Sequence, residues 1–343
     1  MKSFGKNPSG EHLKSIARSA NYKNGAFQNL SETVMTPDES MMSVSRKFFF
    51  DRTKKTPPGI VPSVNTDLKK LPVSNNQIIW FGHSSYLLIV NEKKILVDPV
   101  FSGHASPFST MVKAFPGSNI FDIEDLPEID LLLITHDHYD HLDYGTVLKL
   151  KNSTCPIFTS AGVSSHFLYW GFDKKRITEF DWWESHAFDN DIRFTATPAR
   201  HFSGRGLTRA KTLWSSFVLE SGTSKIYIGG DSGYESHFAE IGNKFNRFDL
   251  ALLECGQYNH MWRHIHMMPE QTVQASLDLN ADQLIPVHWG KFSLALHPWN
   301  EPVSRAHKEA TLKSTNILSP KIGEAIEIGK TYRQEEWWDG SSK

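Results

Sequence analysis

Leu131-Leu132-Leu133-Ile134-Thr135-His136-Asp137-His138-Tyr139-Asp140-His141-Leu142-Asp143 is the stretch on which the reading of this chain turns. Four apolar residues suited to a strand run straight into a cluster of imidazoles and carboxylates, the donors that hold zinc, manganese and iron. Residues two apart point the same way in extended backbone, so His136 and His138 share one side if the strand geometry persists. Asp140 and His141 follow where the chain turns toward a helix, which frees them to serve a neighbouring position. Two adjacent metals fit this spacing better than one. Composition alone would give His-x-His-x-Asp-His in about two of every thousand such sequences, so an accidental solvated loop is a weak explanation.

Four side chains cannot satisfy two metals that each want at least four ligands. Distant strand ends should supply the rest, and the sequence offers three. His201 follows the run Thr197-Pro-Ala-Arg, Asp231 closes Ile226-Tyr-Ile-Gly-Gly, and His288 follows Pro286-Val287. Singly each has a plain alternative, a hydrogen-bonded structural histidine or a Gly-Gly-Asp turn. Together they place one donor each at the same edge of a sheet.

At this point the residues resemble the metallo-β-lactamase fold superfamily of binuclear metallohydrolases, over about Gln77 to Ile328. Trp80-Phe-Gly-His83-Ser-Ser-Tyr86, Leu96-Val-Asp98-Pro99, Tyr227-Ile-Gly-Gly-Asp231-Ser-Gly and His288-Trp-Gly-Lys-Phe292 are most similar to its N-acyl-phosphatidylethanolamine phospholipase D group. Bacterial lactonases of ascorbate-phosphate type share part of the pattern. The resemblance implies a four-layer αββα sandwich and two Zn²⁺, with Mn²⁺ or Fe²⁺ accepted by the same donors. It implies that His136, His138 and His201 hold one ion, that Asp140, His141 and His288 hold the other, and that Asp231 bridges them. A bridging carboxylate where the antibiotic-hydrolysing branch commonly has a cysteine points away from β-lactams. The implied activity is hydrolysis by a metal-bridging hydroxide, with Asp231 orienting the water and accepting its proton. The expected enzyme is a phosphodiesterase of phospholipase D-like type. The alternative is a lactonase or ester hydrolase on a small anionic substrate such as a phosphorylated sugar lactone.

His266, just before a helix, resembles a histidine that the phospholipase D-like members place beside the metals, where it can protonate a leaving group. The position next to it, a polar amide in the mammalian lipase, is Ile265 here. Asp98, at the end of Ile95-Leu-Val, is suited to receive the ring N–H of a ligand histidine, with a turn before Pro99 as the alternative. His83 on a loop between strands has the same two readings. Arg200 lies beside His201 and can hold a substrate phosphate or carboxylate. Tyr258, in Gly256-Gln-Tyr-Asn-His-Met-Trp262, suits a pocket wall or core packing.

The rest of the chain agrees with such an enzyme. Its 343 residues carry 37 Lys+Arg against 38 Asp+Glu, a net charge of −1, so no nucleic acid partner is expected. Hydrophobic residues at 39% are ordinary for a globular chain, and two cysteines cannot staple a fold this size. Sixteen histidines are the surplus that the metal reading explains. Short apolar runs beginning at Ile78, Tyr86, Ile95, Leu131, Ile192, Ser216, Ile226, Leu250 and Leu284 predict strands. Helices are predicted near Glu11–Ser19, Tyr144–Leu150, Ser164–Tyr169, Glu235–Asn243, Pro269–Leu279 and Val303–Leu312. Residues 1–75, polar and proline-punctuated, read as an extension wrapping a hydrolase domain at 76–343, with Phe48-Phe49-Phe50 as a clamp on the core and a membrane wedge as the alternative. No apolar run reaches eighteen residues, so a soluble cytoplasmic protein is expected, with peripheral membrane contact open and oligomeric state unassigned.

Overall fold

A computed structural model describes residues 1–34, 53–222 and 224–340. The Phe48-Phe49-Phe50 clamp lies outside the described residues. Two mixed sheets face each other. The first contains β3 (Gln77–Trp80), β4 (Tyr86–Val90), β5 (Lys93–Val97), β6 (Leu131–Ile134), β7 (Ile157–Ser160), β8 (Ile177–Phe180) and β15 (Ala325–Glu327), in the order β15-β3-β4-β5-β6-β7-β8. The second contains β9 (Ser185–Ala187), β10 (Arg193–Thr197), β11 (Ser216–Glu220), β12 (Lys225–Ile228), β13 (Leu250–Glu254) and β14 (Leu284–Val287), in the order β14-β13-β12-β11-β10-β9. A separate hairpin joins β1 (Tyr22–Lys23) to β2 (Ala26–Phe27). The helices are α1 (Gly10–Ile16), α2 (Tyr144–Lys149), α3 (Ser164–Tyr169), α4 (His237–Phe245), α5 (Pro269–Asp278) and α6 (Glu301–Lys313).

Alternation along each strand explains the layers. Leu131 and Leu133 of β6 join Trp80, Phe217, Ile226 and Leu252 in the core between the sheets. Leu132 and Ile134 point the other way, against Val147 of α2 and Phe167 of α3. In β13, Leu250 and Leu252 face inward while Ala251 and Leu253 meet Phe238 of α4, Val273 of α5 and Ala306 of α6. Strands covered on both faces read as continuous apolar runs rather than alternating ones. The result is a helix-sheet-sheet-helix sandwich, the αββα architecture the resemblance implied. Leu133→Ala would leave a cavity in its middle layer and cost about 2–5 kcal/mol.

Strand direction then gathers the site. β5, β6, β7 and β8 run parallel, and β3 joins this direction through two antiparallel steps across β4. In the second sheet β12, β13 and β14 are parallel, and β10 shares their direction through β11. The C-terminal ends of β3, β5 and β6 therefore lie along one edge of their sheet, and those of β10, β12, β13 and β14 along one edge of theirs.

Four body strands escape the sequence pattern: β7, β8, β9 and β15. β8 is only partly buried until Phe180, and all three residues of β9 are exposed at the sheet edge. Such strands need no apolar run to form, because the neighbouring strand supplies their hydrogen bonds.

Residues 1–34 lie against the body through Ile16 and Phe27, which pack with Trp182, Leu213 and Trp214. Asn29 does more than pack. Its side-chain amide donates to the His201 carbonyl (2.9 Å) and accepts from the His201 N–H (3.0 Å), pairing with that peptide as a neighbouring strand would.

Candidate metal centre

The site is built from strand ends. Asp98 leaves β5 and Thr135 leaves β6, and the Thr135 N–H and hydroxyl both donate to the Asp98 carboxylate (2.8 and 2.6 Å). The same carboxylate takes His141 Nδ1–H at 2.7 Å. That bond points His141 Nε2 at the centre, where it becomes the ligating nitrogen once it has lost its proton. His201 is set likewise: its Nδ1–H donates to the Ile265 carbonyl at 2.9 Å, and Nε2 faces inward.

Asp231 reaches the centre on Gly229-Gly230. A β-carbon on Gly229 would stand 2.4 Å from the Leu252 carbonyl oxygen, and one on Gly230 would stand 2.8 Å from that of Ser215 and 3.1 Å from Thr135 Cβ. Only glycine permits this approach. His83, Asp98 and His288 adopt left-handed backbone (φ 54°, 41° and 68°), a strain that non-glycine residues accept where the surrounding structure imposes it.

Apart from a third that overlaps them, Asp231–Glu254–His266–His288, two separate donor groups result. In one, His138 Nδ1 lies 3.0 Å from His136 Nε2 and 3.2 Å from His201 Nε2, with Asp231 Oδ2 at 3.6 Å from His201 and 3.9 Å from His136. In the other, Asp140 Oδ2 lies 2.9 Å from His83 Nε2, 3.8 Å from His141 Nε2 and 3.9 Å from His288 Nε2. Asp231 Oδ1 stands between the groups, 3.2 Å from both His141 Nε2 and His288 Nδ1. Within each set of four, His136–His138–His201–Asp231 and His83–Asp140–His141–His288, the donor atoms lie within 4.8 Å of one another.

Electrostatics shows what these groups lack. Burial drives His136, His201 and His288 well below the usual histidine range, so they are neutral and offer lone pairs. Burial would raise the Asp231 carboxyl, but His141 and His288 beside it outweigh that and hold it well below the usual range. Asp140 is held down in the same way by His141 and His83. Burial would lower His141, yet Asp231, Asp140 and Asp98 together raise it well above its ordinary value. His141 Nε2, Asp231 Oδ1 and His288 Nε2 are buried with no hydrogen-bond partner. Converging neutral imidazoles, ionised carboxylates and orphaned donor atoms are what a bound cation would satisfy.

The remaining expected residues fall in different places. His266 lines the cavity over the centre, its ring 5.3 Å from that of His288 and 5.0 Å from that of His201. Its Nδ1 bonds Glu254 Oε2 at 2.6 Å. Burial would lower it, but the Glu254 charge and hydrogen bond raise it to about 9. Glu254 escaped the sequence reading, although it ends the apolar run Leu250–Leu253 just as the recognised donors end theirs. It is buried, and its other oxygen takes the N–H groups of Ser232 (3.1 Å) and Met267 (3.0 Å).

Two expectations are corrected. Arg200 does not face the centre: its guanidinium meets Glu235 (3.0 Å), the Glu32 carbonyl and the Thr33 hydroxyl, tying residues 32–33 to the body. Tyr258 is no pocket wall. Its hydroxyl bonds Glu301 and Arg305, and its ring stacks on His297 at 4.5 Å. Arg209, on the same loop as Arg205, is the arginine that lines the cavity, with Phe202, Gln257, Trp262 and Leu294.

An αββα sandwich with this donor set at one edge defines a metal-dependent hydrolase. The description of the beta-lactamase superfamily domain matches residues 93–289, more than half of the chain, and the chain belongs to that family. An uncharacterized protein of Mycobacterium tuberculosis is 37% identical over 94% of this chain and 88% of its own length. The N-acyl-phosphatidylethanolamine-hydrolyzing phospholipase D 1 of Caenorhabditis elegans is 29% identical over 72% of this chain and 74% of its own. Among solved structures, a metallo hydrolase of Ignicoccus hospitalis matches with a TM-score of 0.58 at 19% identity, covering 74% of this chain and 98% of that one, a likeness of fold.

Proposed function

We propose that this chain is a binuclear phosphodiesterase of phospholipase D-like type. The observation that supports the reading is the pair of donor groups under one cavity, with Asp231 in the first and its Oδ1 3.2 Å from His141 and His288 of the second. The name of the nematode relative supports the lipid phosphodiester class. His136, His138 and His201 would hold one cation, Asp140, His141 and His288 the other, and Asp231 would touch both. Two Zn²⁺, or Mn²⁺ or Fe²⁺ in the same donors, would supply an acidified water and a clamp on phosphoryl oxygens.

The chain's own groups do the rest. Asp98 and the Ile265 carbonyl keep His141 and His201 in the ligating tautomer. His266, held by Glu254, presents its Nε2 edge to the cavity, where it can donate a proton to the leaving oxygen. Arg209 at the rim pairs with a phosphoryl oxygen. Residues 1–75 would form one extension bracing this domain, and the Asn29 clamp on His201 and the packing of Ile16 and Phe27 support that reading.

A second reading, hydrolysis of a small anionic ester or lactone, is favoured by the size of the cavity, about 280 Å³. That volume admits a headgroup or a compact lactone but not acyl chains. Element analysis of purified protein, followed by assay against bis(p-nitrophenyl) phosphate and a lactone, separates the readings. Two metals per chain with phosphodiester cleavage are expected. Lactone cleavage alone would select the second reading, and less than one metal per chain would overturn both.

A further inference from the structure

Three adjacent segments form a face of which the proposed chemistry uses only the cavity-lining edge, Phe202 and Arg209: residues 1–7, 102–114 and 202–211. None of them contains an acidic residue. Lys2, Lys6, Lys113 and Arg209 are exposed on them, and so are the apolar side chains of Met1, Phe4, Phe108, Met111 and Leu207, the last fully. Single exposed apolar residues are ordinary, but five on neighbouring segments are not.

Named contacts place them together. The Phe4 ring meets those of Phe108 and Tyr139, each at 6.3 Å. Ser3 donates its hydroxyl to Pro107 (3.5 Å) and accepts Arg205 at its carbonyl, while Asn7 bonds the Thr208 hydroxyl (2.8 Å). The first segment is thus wedged between the other two, with Leu207 projecting beside Thr208. The face also adjoins the metal centre. Phe202 and Arg209 of the third segment line its cavity, and Tyr139 sits between His138 and Asp140.

We infer that this face docks on the surface of an anionic phospholipid bilayer. Exposed lysines and an arginine on segments that carry no carboxylate of their own, with the nearby Asp143 buried, suit lipid phosphates, and the apolar tips suit shallow entry below the headgroups. A nucleic acid would match the charge but give Met111 and Leu207 nothing to enter. The cavity then opens beside the membrane, so a headgroup can reach the centre while its chains remain in the bilayer. That consequence rests on the phosphodiester reading, whereas the docking itself does not.

The test is sedimentation of the full chain with phosphatidylcholine vesicles, with and without phosphatidylglycerol. Hydrolysis of soluble bis(p-nitrophenyl) phosphate is measured in parallel. Binding to the anionic vesicles is expected, reduced by high salt and at least tenfold weaker in a Met111→Asp, Leu207→Asp double variant that keeps its soluble activity. Lys113→Glu provides the same readout should the double variant lose thermal stability. Wild-type protein that stays in the supernatant overturns the inference, as do variants that sediment like wild type. Self-association abolished by the same substitutions, without vesicle binding, would assign the face to a second copy of the chain. Because sedimentation needs no turnover, docking and phosphodiester cleavage can fail independently.

Discussion

The two donor groups of the centre are built on opposite principles. The group of His136, His138 and His201 is imidazole-rich, and burial, with the repulsion of neighbouring imidazoles added to it, keeps its buried histidines neutral. The group of His83, Asp140, His141 and His288 is threaded with charge: Asp98 behind His141, Asp140 against His83, Asp231 between. The first is ready for a cation as it stands. The second holds itself together with internal ion pairs that a cation must replace, so the two should differ in affinity, in pH dependence and in sensitivity to supporting residues.

The largest effect is expected where the groups meet. Asp231→Asn should lower hydrolysis on the order of 10³-fold and take metal content below two per chain, read by element analysis. Retention of both metals would show that Asp231 serves chemistry rather than cohesion. Asp98→Asn reaches the first group only through the Thr135 hydroxyl beside His136 and attacks the second directly, through the tautomer of His141. Affinity there should fall about 10–100-fold while the first group still loads, which a chelator titration separates into two phases. If both phases weaken together, the groups are not independent.

A third test uses pH. His141 sits above the ordinary 6.5, so near neutral pH it is protonated and must lose that proton to bind a cation. Uptake by the second group should therefore strengthen as pH rises, by up to about tenfold per unit. His136 and His201 are already neutral at 6.5, so uptake by the first group should stay flat from there upward. Chelator titrations at successive pH values check both slopes, and a flat second phase would erase the proposed contrast. The smallest effect is expected from Asn29→Ala. It removes two hydrogen bonds to the His201 peptide and should cost about 1–3 kcal/mol, seen as a lower Tm, with the first group loading less well and the second unchanged.

How much of this could be read from the chain depends on what a residue's position determines. An apolar strand ending in a donor is a local pattern, and it exposed the His136–His141 run, His201, Asp231 and His288. Glu254 obeys the same pattern, but a lone glutamate after a strand has many ordinary explanations, and its partner His266 is twelve residues away. Arg200 and Tyr258 went the other way. Their neighbours in sequence pointed to the cavity, but the direction of a long side chain is settled by partners such as Glu235, Glu301 and Arg305, which lie far along the chain. A layered α/β sandwich was visible because doubly covered strands are apolar throughout, and its four-layer αββα order was implied by the family resemblance. The edge strands β8 and β9 were not, since partly exposed backbone places little demand on side-chain type.

Gly229 and Gly230 act as a spacer of fixed thickness. The backbones of Leu252 and Ser215 on either side in the same sheet, and the Thr135 side chain of the facing sheet, leave no room there for a β-carbon, and that closeness sets how far Asp231 can lean between the two donor groups. A single methyl at either position would keep every donor residue in the sequence, yet force a backbone shift that carries Asp231 with it. The chain thus carries a mechanical adjustment for its centre that touches none of the residues doing the chemistry.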